Sequence, residues 1–132
     1  MSKQIQDAYI VAATRTPIGR SHKGYLRNTR PDELLATTLR AALAQVPGLD
    51  PATIEDVICG CAIPEAQQGL NVARIGAVLA GLPNSVGGIT VNRFCASGIS
   101  AVQMAADRIR VGEAAVMFPA AVDRISIVPI MR

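Results

Sequence analysis

Apolar residues along the chain change spacing repeatedly, from short runs to a stripe at every third or fourth position. Mainly apolar runs occur at 8–13, 56–62, 88–91 and 114–118. Each is bounded by Gly, Pro or polar residues and predicts a buried strand. Between the first two runs, Leu34, Leu35, Thr38, Leu39, Ala42, Leu43 and Val46 fall on one face at helical spacing. Pro31 suits the first helical position, Asp32 and Glu33 suit the positive end of the helix dipole, and Pro47-Gly48 stops the element. A second helix is predicted from a cap at Asn71 to about Ala80, closed by Gly81-Leu82-Pro83. A third follows Cys95, is expected to bury Ile99, Val102, Ala105, Ala106 and Ile109, and ends near Val111-Gly112. Pro119 is expected to cut the fourth strand short, and the apolar segment 125–128 is a candidate fifth strand.

Strands and helices therefore alternate, which implies an α/β architecture with a mostly parallel sheet. Half of the 132 residues are hydrophobic and only 3% are aromatic, so aliphatic side chains must build the core. That composition suits a parallel sheet covered by helices on both faces. The net charge is +3, but the basic residues are scattered apart from Arg15, Arg20, Lys23, Arg27 and Arg30 in the early loop. A nucleic-acid partner would call for a denser stripe with interleaved aromatics, so none is expected. Gly87-Gly88 precedes a strand and Arg15-Thr16-Pro17-Ile18-Gly19 follows one, neither of which is the context of a dinucleotide-binding loop. The run 75–92 is the longest uncharged stretch, but Pro83, Asn84, Ser85 and the glycine pair break it, so no membrane span is expected. The N-terminal residues lack the apolar stretch of a secretory signal.

Three cysteines, Cys59, Cys61 and Cys95, give no complete disulfide framework and point to a reduced, cytoplasmic setting. Cys59 and Cys61 lie two apart on a predicted strand, on one face, and read as core packing. No metal site is expected, because Cys59-Gly60-Cys61 has no second ligand pair and the only histidine is the distant His22. Cys95 differs. It stands where the strand at 88–91 gives way to small residues and a helix, so unpaired N–H groups and the helix dipole would favour its thiolate. Position alone leaves two readings open: a nucleophile for acyl transfer, or a buried small hydrophobe.

Three motifs bear on that choice: Ala-Ala-Thr-Arg-Thr-Pro-Ile-Gly at 12–19, Gln-Gly-Leu-Asn-Val-Ala-Arg at 68–74, and Val-Asn-Arg-Phe-Cys-Ala-Ser-Gly at 91–98. With them, the chain resembles the N-terminal half-domain of thiolases, most closely the bacterial 3-ketoacyl-CoA thiolases, from about Asp7 onward. The resemblance implies a three-layer thiolase half-domain, truncated, in which residues 1–132 form a thiolase N-terminal domain without the loop region and C-terminal half. It implies that Cys95 is the acyl-accepting nucleophile of an acyltransferase, the only site residue it assigns here. The expected reaction is thiolytic cleavage of a 3-ketoacyl-CoA into acetyl-CoA and a shortened acyl-CoA, as in fatty-acid β-oxidation. CoA thioesters serve as substrates with no further cofactor, and the full-length enzyme is expected to be a homodimer or homotetramer. The family's histidine and second cysteine lie in Gly-His-Pro and Cys-x-Gly-Gly-Gly motifs that this chain lacks; His22, Cys59 and Cys61 match neither. The chain alone is therefore expected to be inactive. Two alternatives stand beside this reading: a non-catalytic dimerisation module, and an acetoacetyl-CoA-forming biosynthetic thiolase. A ketoacyl synthase shares the fold but fits the motif wording less well. The segment 118–124 departs from the family: Pro119 threatens a ladder bond, Asp123 replaces a longer acid, and Arg124 brings a charge that needs a partner.

Overall fold

In the computed structural model, which describes residues 5–128, three parallel strands form one sheet in the order β2-β1-β3. They are β1 (Asp56–Gly60), β2 (Gly87–Val91) and β3 (Met117–Ala121). The helices are α1 (Pro31–Leu43), α2 (Val72–Ala80) and α3 (Ser97–Arg110). α1 and α2 pack together over one sheet face, where Leu35, Leu39, Val57, Cys59, Val72 and Ala77 form the larger core. α3 covers the other face, with Ile58, Ala101 and Ala105 in a smaller core. Three layers result, as the sequence implied.

The local signals act as expected at several ends. Asp32 is buried at the start of α1, where its carboxylate accepts from the Glu33 N–H and pairs with Arg30 at 2.6 Å. Asn71 caps α2 through its side-chain oxygen, while its amide donates to the Gly88 carbonyl at 2.8 Å and so ties the helix start to β2. Gly81 closes α2 in the left-handed region, at φ 84°, which costs glycine little.

Several expectations are corrected. The run 8–13 is not a strand: it is irregular, and Tyr9, Ile10 and Val11 are 77%, 81% and 74% exposed. Its apolar pattern is that of a buried strand, but it forms no ladder with the edge strand β3. Instead an apolar groove of about 280 Å³ separates it from β3. The segment at 125–128 is likewise no fifth strand, since Ile125–Ile127 forms a single 3₁₀ turn. In α3 the buried face is Ser97, Ser100, Ala101 and Ala105, whereas Ile99 and Val102 are exposed. The sheet takes the small residues because only they let the helix approach closely. Finally, Pro119 does not end the fourth strand but sits in the middle of β3. The Val122 N–H donates to the Gly60 carbonyl and the Val116 carbonyl accepts from Glu55. Even-numbered residues of β3 therefore face β1, and Pro119 turns its missing N–H to the open edge, where a proline costs no ladder bond.

Among the described residues, no helix is long and apolar enough to cross a membrane.

Candidate active site

β2 ends at Val91, and α3 begins six residues later at Ser97, so the turn between them must reverse the chain tightly. Asn92 anchors it twice: its amide donates to the Ala62 carbonyl at 3.1 Å, and its oxygen accepts from the Phe94 N–H at 2.8 Å. Ser97 closes the turn from the helix side. Its hydroxyl accepts from the Arg93 N–H at 2.8 Å and donates to the Phe94 carbonyl at 2.6 Å. Between these anchors Phe94 adopts φ 47°, a left-handed conformation that costs a non-glycine residue about 1–2 kcal/mol. Its ring is 74% exposed, so packing does not offset that cost. Strain held by surrounding hydrogen bonds is a recurrent feature of functional turns.

The residue this turn presents is Cys95. It is exposed, whereas Cys59 and Cys61 are both fully buried. This removes the buried-hydrophobe reading of Cys95 that its position left open. Cys95 stands one residue before the helix cap at Ala96, slightly further from α3 than a first-turn placement. Among the described residues, no protein acceptor takes its backbone N–H. A sulfur in water beside an unused N–H can meet a carbonyl carbon while that N–H meets the carbonyl oxygen.

The seating of this turn depends on a residue that no sequence motif marks. A Cβ built on Gly60, at the end of β1, would lie 2.4 Å from the Ser97 carbonyl carbon and 2.5 Å from the Gly98 nitrogen. The start of α3 therefore rests directly on the β1 backbone. Such a contact is non-local, so a linear pattern gives no warning of it. Ser97 carried a weak signal, as a hydroxyl three residues after Phe94 at a helix start.

The other cysteines are held as neutral thiols. Burial pushes the Cys59 thiol up to about 12, with neighbouring Cys61 and Asp123 adding to the effect. Burial, then the Asp123 carboxylate, pushes Cys61 up to about 11. Asp123 is occupied in turn: it accepts from the Ala62 N–H at 2.9 Å and the Ile63 N–H at 3.3 Å, while Cys61 donates to it at 3.7 Å. His22 lies elsewhere, in an exposed turn whose backbone N–H donates to the Ser126 hydroxyl at 3.0 Å. Among the described residues, no group of three His, Cys, Asp or Glu side chains is placed to hold a metal ion.

Comparison with known proteins fits this geometry. The family described as thiolase, N-terminal domain, matches residues 8–132. The 3-ketoacyl-CoA thiolase of Bacillus subtilis (strain 168) is 42% identical over 127 residues, or 96% of this chain and 32% of the relative. The enzyme of the same name from Shewanella loihica is 47% identical over 82% of this chain and 28% of its own length. The crystal structure of the Bacillus anthracis acetyl-CoA acetyltransferase superposes with a TM-score of 0.88 at 34% identity, covering 99% of this chain and 33% of that one. The chain thus spans about a third of the length of the relatives it matches. With the strand, the cysteine-bearing turn and the helix all in the expected order, the chain belongs to the thiolase N-terminal domain family.

Proposed function

We propose that this chain is the nucleophile-bearing part of a thiolase, and that Cys95 carries the acyl group. The observation that carries the reading is the exposed Cys95 on a braced strand–helix turn, in a chain of this family. In the degradative direction the Cys95 thiolate adds to the 3-keto carbon of a 3-ketoacyl-CoA. The bond between C2 and C3 breaks, and the electron pair leaves with the acetyl-CoA fragment, which takes up a proton. The shortened acyl group stays on Cys95 as a thioester until a CoA thiolate removes it. The Cys95 N–H is free to stabilise the oxyanion of each addition. CoA thioesters enter as substrates, and no further cofactor is required.

Proton transfer to the leaving fragment needs an acid that these residues do not provide. Cys59 and Cys61 are sealed in the core, and no contact joins His22 to Cys95. Carbon–carbon cleavage is therefore a property of the whole enzyme, a homodimer or homotetramer, and the present chain contributes the thiol. Three free thiols suit a reducing cytoplasm. The relatives named 3-ketoacyl-CoA thiolase favour fatty-acid degradation. The likeness to an acetyl-CoA acetyltransferase supports a second reading, formation of acetoacetyl-CoA through the same Cys95 thioester.

Incubation with acetyl-CoA, followed by peptide mapping, tests the shared step. Acetyl is expected on Cys95 and lost in Cys95→Ala. Cleavage of a 3-ketoacyl-CoA by the chain alone is expected at no more than the buffer rate. Acetylation spread evenly over all three cysteines would refute the assignment.

A further inference from the structure

Away from Cys95, the loop after residue 14 folds over the start of α1 and the segment after β3, and borders a half-open cavity of about 310 Å³. Its basic lining consists of Arg20, Arg27 and Arg124, and its acid is Asp123. The Asp123 carboxylate is already engaged by the Ala62 and Ile63 N–H groups. Arg124 is only 8% exposed, yet among the described residues it pairs with no carboxylate. One terminal nitrogen donates to the Gln67 side-chain oxygen at 3.1 Å, and the other to the Arg27 carbonyl. Among the described residues its Nε, which is buried, has no partner. The Ser21 hydroxyl, on the same cavity, is also buried and unpartnered. A buried guanidinium without a counter-charge is costly, and so is each orphaned donor. Leu34 and Leu35 supply an apolar wall beside these groups.

We infer that this cavity binds a small ligand through an oxyanion, a carboxylate or phosphate drawn by the unpaired charge of Arg124 beside Ser21. One bound oxyanion supplies the missing counter-charge to the Arg124 guanidinium. The volume exceeds what a single such group fills, so the ligand carries a short apolar body against the leucine wall. Cys95 does not line this cavity, so the inference does not rest on the role given to that thiol.

Equilibrium dialysis of the chain against radiolabelled inorganic phosphate, acetate or hexanoate, at constant ionic strength, tests it. Saturable uptake of at least one is expected. Uptake of phosphate alone assigns a phosphate ligand. Tighter uptake of hexanoate than acetate assigns a carboxylate with an apolar body. Arg124→Gln is expected to weaken uptake about tenfold or more, the scale of one lost charge-assisted hydrogen bond. Circular dichroism checks that this variant folds; if it does not, Ser21→Ala decides, with a smaller loss expected. Absence of saturable uptake of all three probes, or uptake unchanged in the folded variants, would overturn the inference.

Discussion

Three cysteines in one small domain have opposite fates, and the surroundings of each sulfur decide which. Cys59 on β1 and Cys61 just after it lie in the core beneath α1 and α2, where a charged thiolate would lose its water. Their raised values, about 12 and about 11, have a consequence for stability. Below the ordinary thiol value of 9.0 both states are protonated and the folded state loses nothing. Above it the unfolded chain releases protons that the folded chain retains, so stability falls as pH rises toward 11 and 12. Urea unfolding across alkaline pH is expected to show a loss on the order of a few kcal/mol. The Cys59→Ala/Cys61→Ala variant should lose less over the same interval. Equal alkaline loss in both proteins would refute this account of the buried thiols.

At the scale of elements, the turn before α3 is held by contact with β1 more than by its own sequence. Gly60→Ala would drive a methyl group into the Ser97 and Gly98 backbone. A cost of about 2–3 kcal/mol is expected, as for overpacking elsewhere. Thermal unfolding measures that cost, and an unchanged midpoint would show that the turn is not seated on β1. The same element shows what a linear reading can and cannot reach. Pro31, Asn71 and Gly81 act on neighbours within a turn or two, so the ends of α1 and α2 were legible. The buried face of α3 was not, because the large residues Ile99 and Val102 suggested one face and the close approach to the sheet selected another. Pro119 misled for a related reason: whether a proline breaks a strand depends on which edge its nitrogen faces, and that is set by register. Position 95 was legible as a strand–helix junction, but its exposure follows from the Asn92 and Ser97 anchors, which only the folded chain reveals.

For the whole molecule, open sheet edges and exposed apolar side chains remain unsatisfied. β3 has an open edge, the 8–13 segment runs exposed beside it, and Phe94, Ile99 and Val102 add further apolar area near the start of α3. Exposed apolar patches and unpaired edges promote association. This favours the reading of the isolated chain as an association module, and sedimentation is expected to show self-association that grows with concentration. A single monomeric species at high concentration would argue against it. The fold-level assignment does not depend on that outcome, because the three-layer arrangement and the family match concern the packed core.

Competitive alkylation bears most directly on the central claim, that the fold presents one thiol for acyl transfer and hides two. Native protein is treated with limiting iodoacetamide near neutral pH, and the three cysteine peptides are quantified by mass spectrometry, with and without denaturant. The account predicts that Cys95 takes nearly all of the label in the folded chain, and that Cys59 and Cys61 become labelled only on unfolding. Labelling of Cys59 or Cys61 in the folded chain at the rate of Cys95 would contradict it.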